Sequence, residues 1–292
     1  MERSIYFLLL CITIFILALT PRRERFLDEF VPPTILQNYE ELVSFLQSQT
    51  HSQWKIPKVL YRTWKSFDGL PEEFFQIIKS NVDGNKYVIL FFDDESCRRF
   101  INDFRPDCLD AYDALVPGAY RADLWRLVVL HTFGGIYNDI GHEYLAPIEN
   151  IIHDSDEIVL TREIKICGIH NAFMAARKNH PLIGEMITQV LKNIEQRLYG
   201  ECPIDITGPK ALGKVMTRYF NMPHAEVPSH YGYCPNTNIK LFDFVRLDRV
   251  IRASDGIDVI STKSIDFQSL VTSTLADGHY AKFWYNNTVY AS

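Results

Sequence analysis

The fold of this 292-residue chain is decided by a central stretch, Ala119-Tyr-Arg-Ala-Asp-Leu-Trp-Arg126, followed closely by Leu130-His-Thr-Phe-Gly-Gly-Ile-Tyr-Asn-Asp-Ile-Gly-His-Glu-Tyr-Leu-Ala-Pro-Ile148. The spacing predicts a helix over residues 119–133, which Gly134-Gly135 ends where a left-handed cap is needed. A strand over residues 136–139 is predicted next. Because ligands of open α/β sheets lie outside the carboxyl ends of the strands, Asp139 is placed to meet a ligand.

Shorter patterns on both sides extend this architecture. The apolar run Tyr87 to Phe92, closed by Asp93-Asp94, is typical of a buried parallel strand followed by a capped helix. Further strands are predicted at Lys58–Tyr61, Glu157–Thr161 and Ala172–Ala176, and helices at Glu72–Lys79 and Pro181–Leu198. Strands that alternate with helices of these lengths predict an α/β fold, with helices on both faces of one sheet.

Composition limits the class of protein and its partners. With 47% hydrophobic and 23% charged residues, the chain has enough apolar material for a large core, which excludes disorder for most of it. The net charge of -6 gives no general attraction to nucleic acid, so no nucleic-acid partner is expected. The six cysteines include no CxxC pair, which leaves zinc or thioredoxin-like chemistry without support.

The first twenty residues are unusually apolar. Residues 4–20 carry no charge, which approaches the length that spans a bilayer. We expect a membrane anchor over residues 1–20, a stem over 21–52 and one domain over 53–292. The stem is expected to end in an amphipathic helix over residues 39–47 that packs on the main body. A cleaved signal peptide is the alternative. The expected topology is a single-pass type II protein with its domain in the ER or Golgi lumen, although Arg22, Arg23 and Arg25 favour a cytosolic body by the positive-inside rule.

The central stretch resembles the sugar-binding region of glycosyltransferase family 32, which includes fungal α-mannosyltransferases and inositol-phosphoceramide mannosyltransferases. That family combines an Ile-Pro-Lys strand opening, a helix with Asp-x-x-Arg, and Gly-Gly-x-Tyr-x-Asp-x-Asp. The corresponding segments here are Ile56-Pro57-Lys58, Asp123 to Arg126, and Gly134 to Gly141. Weaker matches are Asn171 before Phe173-Met174-Ala175-Ala176, His180-Pro181, Thr207-Gly208-Pro209, and His279 followed by Trp284.

The resemblance implies a GT-A type fold, a Rossmann-like sheet that binds a nucleotide sugar. It also implies a Mn²⁺ or Mg²⁺ cofactor and a GDP-mannose or UDP-hexose donor. The implied reaction transfers a hexose, with mannose favoured, to a glycan or glycolipid acceptor with retention of the anomeric configuration. A divalent cation would stabilise the charge that grows on the leaving diphosphate.

The resemblance also implies a role for individual residues. The catalytic set would be Arg121, Asp123 and Asn171, of which Arg121 and Asp123 also hold the donor. The remaining donor contacts would come from Tyr61, Thr63 and Trp64 around the base, Asp139 near the metal, and Trp284 over the diphosphate. The implied metal ligands are Asp139 and His279.

One departure from the family pattern bears on the metal and on activity. Gly141 stands where the family has its second aspartate, and glycine has no side chain to coordinate a cation. Glu143 or His142 could substitute, and strand alternation favours Glu143, which falls on the same face as Asp139. Otherwise the metal binds weakly and Arg121 neutralises more of the charge. A non-catalytic protein that binds nucleotide sugars or glycans, and a nucleotide-sugar hydrolase, are the alternative functions.

Overall fold

The computed structural model describes residues 32–49, 55–84, 86–221, 232–234, 237–262 and 279–291. The strands are β1 Thr34–Leu36, β2 Val59–Thr63, β3 Val88–Phe92, β4 Gly135–Asn138, β5 Glu143–Tyr144, β6 Ile158–Glu163, β7 Gly168–Ile169, β8 Phe173–Ala176, β9 Gly232–Tyr233, β10 Ile239–Val245, β11 Val250–Arg252 and β12 Asp258–Ser261. The helices are α1 Tyr39–Ser48, α2 Glu72–Lys79, α3 Asp94–Phe104, α4 Leu109–Ala114, α5 Gly118–Phe133, α6 Ile148–Ile151, α7 Pro181–Glu195, α8 Pro209–Tyr219 and α9 Tyr280–Tyr285.

The strands of these residues form one mixed sheet in the order β1-β3-β2-β4-β8-β6-β10-β11-β12-β5, with β7 beside β6 and β9 beside β10. Strands β1, β3, β2 and β4 pair in parallel. Strand β8 is antiparallel to both β4 and β6, and β10 is parallel to β6. The carboxyl ends of β2, β3, β4, β6 and β10 therefore lie along the same edge of the sheet.

Helices cover both faces of the sheet, as the alternation of strands and helices predicts. Neighbouring residues of one strand enter different cores, because side chains alternate across a sheet. In β4, Tyr137 joins a core with α3, α5, α7 and α8, while Ile136 joins a core with α2 and α6. In β2, Tyr61 and Leu60 divide in the same way. The α/β class inferred from the sequence is therefore confirmed.

The folded body begins earlier than residue 53. Strand β1 pairs in parallel with β3, and α1 buries Leu42 and Leu46 in the larger core. The side chain of Asn38 caps α1 by accepting from the backbone N–H groups of Glu40 and Glu41. The helix expected at the end of the stem is therefore present as α1 and packs on the main body, and residues 34–48 belong to the sheet and its helical layer.

The expected anchor over residues 1–20 and the first part of the stem lie outside the described residues. Within the part of the chain that the structure describes, no helix combines the length and apolar character needed to cross a membrane.

The diglycine turn between α5 and β4 is sterically required. Gly134 has φ 74° and Gly135 has φ 117°, conformations that favour glycine. A β-carbon on Gly134 would lie 2.7 Å from the backbone nitrogen of Lys178, and one on Gly135 would lie 2.7 Å from the Tyr61 ring. The turn thus lets α5 end directly against the start of β4, which fixes Asp139 relative to the helix.

Candidate functional site

The candidate site lies at the carboxyl edge of the sheet, between β4 and β8. Asp139 directly follows β4, and Asn171 shortly precedes β8. The backbone N–H of Asp139 donates to the carbonyl of Ala172 at 2.8 Å, which holds the two segments together. Helix α5 passes beside them and supplies Asp123 and Arg126. The structure therefore brings Asp123, Asp139 and Asn171 together, as the sequence analysis expected.

Arg126 is the cation at the centre of this group. Its guanidinium lies 3.2 Å from Asp123 Oδ1 and 3.4 Å from Asp139 Oδ1, and it donates to the Asn171 carbonyl at 2.7 Å. It also lies over the Tyr137 ring, 4.3 Å from the centroid. Only 7% of its side chain is exposed. Burial alone would lower the pKa of Arg126. Tyr137, Asp139 and Asp123 raise it by more, so its net pKa lies above the ordinary value and the guanidinium stays charged.

Asp123 is held by donors on both carboxylate oxygens. Asn171 Nδ2 donates to Oδ1 at 2.8 Å, and Thr207 Oγ1 donates to Oδ2 at 2.7 Å. Burial raises the pKa of Asp123 above its ordinary value, and it outweighs the lowering by Arg126 and these hydrogen bonds. The segment Thr207-Gly208-Pro209, a weak motif in the sequence, therefore contributes to the site through its threonine.

Asp139 is the member of the group that faces solvent. Tyr137 donates to its Oδ1 at 2.7 Å, and 40% of its side chain is exposed. Burial alone would raise the pKa of Asp139, but the Arg126 guanidinium and the hydrogen bond from Tyr137 lower it, and its net pKa is below the ordinary value. The site thus presents an ionised carboxylate toward the open sheet edge.

Arg62, which the sequence analysis did not select, fixes the turn that carries Asp139. It is fully buried at the end of β2, and it donates to the carbonyls of Asn138 at 3.0 Å, Asp139 at 2.5 Å and His142 at 3.4 Å. Its guanidinium also lies 5.6 Å from the Tyr144 ring centroid. An arginine inside an otherwise apolar strand was the available signal in the sequence, because a buried charge must find several partners.

A second polar group lies farther along the same edge, at the ends of β6 and β10. We call Glu163, His170 and Arg246 the β6–β10 group. Glu163 lies 2.9 Å from Arg246 Nη2 and 3.6 Å from His170 Nδ1. The His170 ring stacks on Phe244, with centroids 4.2 Å apart. The sequence analysis missed this group, since its members are separated along the chain and match no motif.

The three residues expected around the nucleotide base are placed differently from one another. Tyr61 is fully buried, and its hydroxyl donates to the Gly134 carbonyl at 2.8 Å. It has no exposed surface with which to contact a base, which corrects the expectation. Thr63 Oγ1 lies 3.4 Å from Cys97 Sγ, and the Trp64 ring packs 5.7 Å from Phe74. Both are only partly buried, at the end of β2 on the edge that carries the site.

Two predicted donor contacts, Arg121 and Trp284, and the predicted metal ligand His279 have local partners. Arg121 donates to the Val116 carbonyl at 3.1 Å, and it is not the arginine that pairs with Asp123. Trp284 Nε1 donates to the Tyr199 carbonyl at 2.7 Å. The exposed His279 caps α9, with Nδ1 accepting from the backbone N–H of Ala281 at 3.3 Å. These contacts orient the three side chains without bringing them to Asp139.

The donor set does not fit a metal site built from protein ligands alone. Magnesium requires near-octahedral oxygen coordination, and one Asp139 oxygen already serves Tyr137 and Arg126. The chain turns between Asp139 and His142, whose backbone N–H donates to the Asp139 carbonyl at 3.0 Å, so the strand alternation that would place Glu143 on the face of Asp139 is interrupted. His142 is buried, which lowers its pKa to about 3, and its Nδ1 lies 3.0 Å from Asn138 Oδ1. Among the described residues, no cluster of three His, Cys, Asp or Glu side chains could hold a metal.

Comparisons with known proteins agree with the motif analysis. Residues 71–158 match a family model described as the glycosyltransferase sugar-binding region containing a DXD motif. The chain is 29% identical over 181 residues to inositol phosphoceramide mannosyltransferase 3 of Schizosaccharomyces pombe, covering 60% of this chain and 49% of that protein. It is 26% identical over 167 residues to mannosyl phosphorylinositol ceramide synthase CSH1 of Saccharomyces cerevisiae, covering 56% of this chain and 43% of that protein. These matches confirm the resemblance to family 32.

The extent of these matches is limited. The chain spans about half the length of the curated relatives it matches. A solved structure titled PaToxG Glycosyltransferase covers 63% of this chain and 79% of its own, with 14% identity and a TM-score of 0.40. This score is too low to support a conclusion about the fold or function of this chain.

Proposed function

We propose that this chain, whose residues 71–158 carry the sugar-binding region of glycosyltransferases, transfers a hexose from a nucleotide sugar to a hydroxyl of a glycan or glycolipid. Mannose is the favoured sugar, since the matched relatives are named as mannosyltransferases. The observation that carries the proposal is the position of Arg126 between Asp123 and Asp139. Through Arg126, Asp123 on helix α5 and Asp139 in the turn after β4, both parts of the family pattern, lie in one site at the sheet edge.

The chemistry of the site suits a sugar. Ionised carboxylates accept hydrogen bonds from hydroxyl groups, and Asp139 keeps part of its carboxylate exposed for this purpose. In the proposed reaction, the bond between the anomeric carbon and the diphosphate oxygen breaks and a bond to the acceptor oxygen forms. The acceptor proton passes to the diphosphate or to solvent. Retention of configuration is part of the proposal and is supported by the family resemblance.

Divalent-metal dependence remains a prediction. A bound Mn²⁺ or Mg²⁺ would supply Lewis-acid stabilisation of the leaving diphosphate. The residues around Gly141 do not form a metal site by themselves, so most ligands of such an ion would come from the diphosphate and water. In this proposal, Asp139 binds the donor. Asn171 and Thr207 hold Asp123 in place through hydrogen bonds to its carboxylate.

A donor screen tests the proposal. Purified protein is incubated with GDP-mannose or UDP-hexoses and a glycolipid acceptor, with and without Mn²⁺, and nucleoside diphosphate and glycosylated acceptor are both measured. We expect Asp139→Asn to lower transfer at least ~100-fold, the scale on which a preorganised electrostatic group acts. The matched control is Asp113→Asn, whose carboxylate forms a surface ion pair with Arg98.

Other results of the screen would favour other functions. Donor binding without turnover, equal in wild type and Asp139→Asn, would identify a non-catalytic binding protein. Free sugar released even with acceptor present would identify a hydrolase.

We also propose that residues 1–20 anchor the protein, with the domain in the ER or Golgi lumen. The support is the uncharged run over residues 4–20. Protease treatment of intact microsomes tests this topology, and digestion of the domain without detergent would contradict it.

A further inference from the structure

Tyr280, the first residue of α9, lies beside the candidate site. Its ring packs edge-on against Tyr120 of α5, with centroids 5.8 Å apart. Tyr120 precedes Asp123 by three positions, so these two side chains are neighbours on the surface of that helix. Tyr280 is partly buried, and among the described residues no hydrogen-bond partner is found for its hydroxyl. Because a tyrosine in such a position usually bonds its hydroxyl, this one is available to a ligand.

The charge around the Tyr280 hydroxyl favours a neutral partner. Burial raises the pKa of Tyr280, and the carboxylates of Asp123 and Glu163 raise it further than Arg246 lowers it. The phenol therefore keeps its proton and can donate a hydrogen bond. Because its surroundings are negative on balance, an anionic phosphate is a poor partner there, whereas a sugar hydroxyl carries no charge.

Helix α9 is fixed at its other end, so the position of Tyr280 is set before a ligand binds. Trp284 Nε1 donates to the Tyr199 carbonyl at 2.7 Å, and the Tyr199 hydroxyl accepts from the backbone N–H of Val289 at 3.3 Å. The backbone N–H of Val116, just before α5, donates to the Val289 carbonyl at 2.8 Å. A side chain on a helix held in this way loses little freedom when it binds a ligand.

Asp123 lies on α5 between the two helix positions that contact Tyr280 and Asp139. Tyr280 packs on Tyr120 near the start of the helix, and Arg126, nearly two turns later, lies 3.4 Å from Asp139. Tyr120 and Arg126 are six residues apart, which is roughly 9 Å along the helix axis. A single hexose, with hydroxyl groups on opposite sides of its ring, can reach hydrogen-bonding groups at both ends of this interval.

We propose that the Tyr280 hydroxyl binds a hydroxyl group of the donor hexose, on the side of the sugar remote from Asp139. This inference rests on the proposed transferase function, and it adds a residue that determines which sugar is accepted. A site that hydrogen-bonds a substrate hydroxyl discriminates against sugars that lack a hydroxyl in that position. Tyr280 thus contributes to the choice among hexoses, which the carboxylates of the site leave open.

Calorimetry tests the proposal, with GDP-mannose and GDP titrated into wild type and Tyr280→Phe. The variant removes only the hydroxyl and keeps the ring that packs on Tyr120, so folding should be unchanged, which a thermal melt verifies. We expect the Kd of GDP-mannose to rise about 3- to 10-fold, the scale of one hydrogen bond. The Kd of GDP, which lacks the sugar, should stay the same.

The matched control is Tyr285→Phe on the same helix. Tyr285 is 72% exposed, so this variant removes the same atom from a residue open to solvent. An equal effect of the two variants on GDP-mannose binding would overturn the proposal. An equal rise in the Kd of GDP and GDP-mannose in Tyr280→Phe would overturn it as well, because Tyr280 would then contact the nucleotide.

Monodeoxy analogues of GDP-mannose identify the hydroxyl that Tyr280 binds. Of the analogues that wild type binds more weakly than GDP-mannose, one should lose this penalty in Tyr280→Phe, since both changes remove the same hydrogen bond. Penalties that are the same in wild type and variant for every analogue would contradict a direct contact.

Binding and turnover together separate this inference from the proposed function. If Tyr280→Phe alone weakens GDP-mannose binding and wild type transfers no sugar, the inference holds and the transferase function fails. If wild type transfers mannose and Tyr280→Phe binds GDP-mannose equally well, the function holds and the inference is overturned. Wild type that binds GDP-mannose no more tightly than GDP also overturns the inference, because the sugar then makes no net contact.

Discussion

At the scale of single residues, the candidate site is balanced in charge without a second aspartate. Asp123 and Asp139 are matched by the buried guanidinium groups of Arg126 and Arg62, which lie against them or against their backbone. In the family pattern, an aspartate at position 141 would add one more negative charge. Because Gly141 lacks this carboxylate, the site has one negative charge fewer for a bound cation to neutralise.

Restoring the missing carboxylate tests this interpretation. Gly141 lies in the turn after β4, two residues beyond Asp139. We expect Gly141→Asp to lower the Mn²⁺ concentration for half-maximal transfer at least ~10-fold, since Mn²⁺ is a hard cation that favours carboxylate ligands. Gly141→Asn is the isosteric neutral control, and thermal melts of both variants verify folding. The same Mn²⁺ dependence in both variants would show that position 141 does not contact the metal.

Motif spacing was enough to predict Asp123, Asp139 and Asn171, which the structure brings together. It did not distinguish Arg121 from Arg126, because the two lie five positions apart on one helix and the sequence does not show which side faces β4. Arg62 and the β6–β10 group were missed for a different reason. Their partners come from distant strands, so only the sheet order brings them together.

At the scale of elements, the connection from α5 to β4 determines the site. The helix carries Asp123 and Arg126, the strand delivers Asp139, and the diglycine turn sets the distance between them. The diglycine was identified from the sequence as the end of the helix, and Gly134 is its C-cap with φ 74°, although its ψ of -175° is not that of a left-handed helix. The sequence could not show how strictly glycine is required at positions 134 and 135, because the restriction comes from Lys178 and Tyr61, which pack against the turn.

Gly134→Ala is expected to destabilise the protein by about 2–3 kcal/mol. Alanine would be strained at φ 74°, and its β-carbon would meet the backbone of Lys178. Gly118→Ala is the control, because nothing lies within 4 Å of a β-carbon at that position. The free energy of unfolding in urea measures both. Similar stability of the two variants would mean that the turn can relax without cost.

At the scale of the whole molecule, the alternation of strands and helices predicted the α/β layering over residues 56–195 well. It did so because parallel strands buried on both faces give continuous apolar runs, which are conspicuous in a sequence. Strands β9, β11 and β12 were not predicted, since they are short and give little pattern. The longer β10 was missed because Lys240 and Asp243 interrupt its apolar run. Strand β1 was also missed, as three residues give too little pattern to assign.

The global stability of the protein should fall as the pH drops from about 6.5 toward 4. Burial lowers the pKa of His180 to about 4 and that of His142 to about 3, so the native state holds both neutral. The unfolded chain binds these protons near pH 6.5, so their contribution is complete above that pH and is lost as the pH falls. The melting temperature, followed from pH 7 to pH 5, measures the effect above the range of most carboxylates.

His180→Asn isolates one of the two histidines. His180 caps α7 by accepting from the backbone N–H of Leu182, and asparagine can accept the same bond without titrating. We therefore expect a shallower loss of melting temperature in His180→Asn than in wild type. Parallel pH curves for the two proteins would show that the burial of His180 does not contribute to the acid sensitivity.

Among the described residues, Arg62 holds the turn after β4 by donating to main-chain carbonyls, and every amino acid has the same carbonyl. The turn can therefore exchange side chains during evolution while its path is preserved. Arg62 has no such freedom, since no other side chain carries five donors in a planar fork. Because Arg62 holds the carbonyls of Asp139 and His142, on either side of position 141, a new side chain at position 141 can change what the turn binds while these hydrogen bonds are kept.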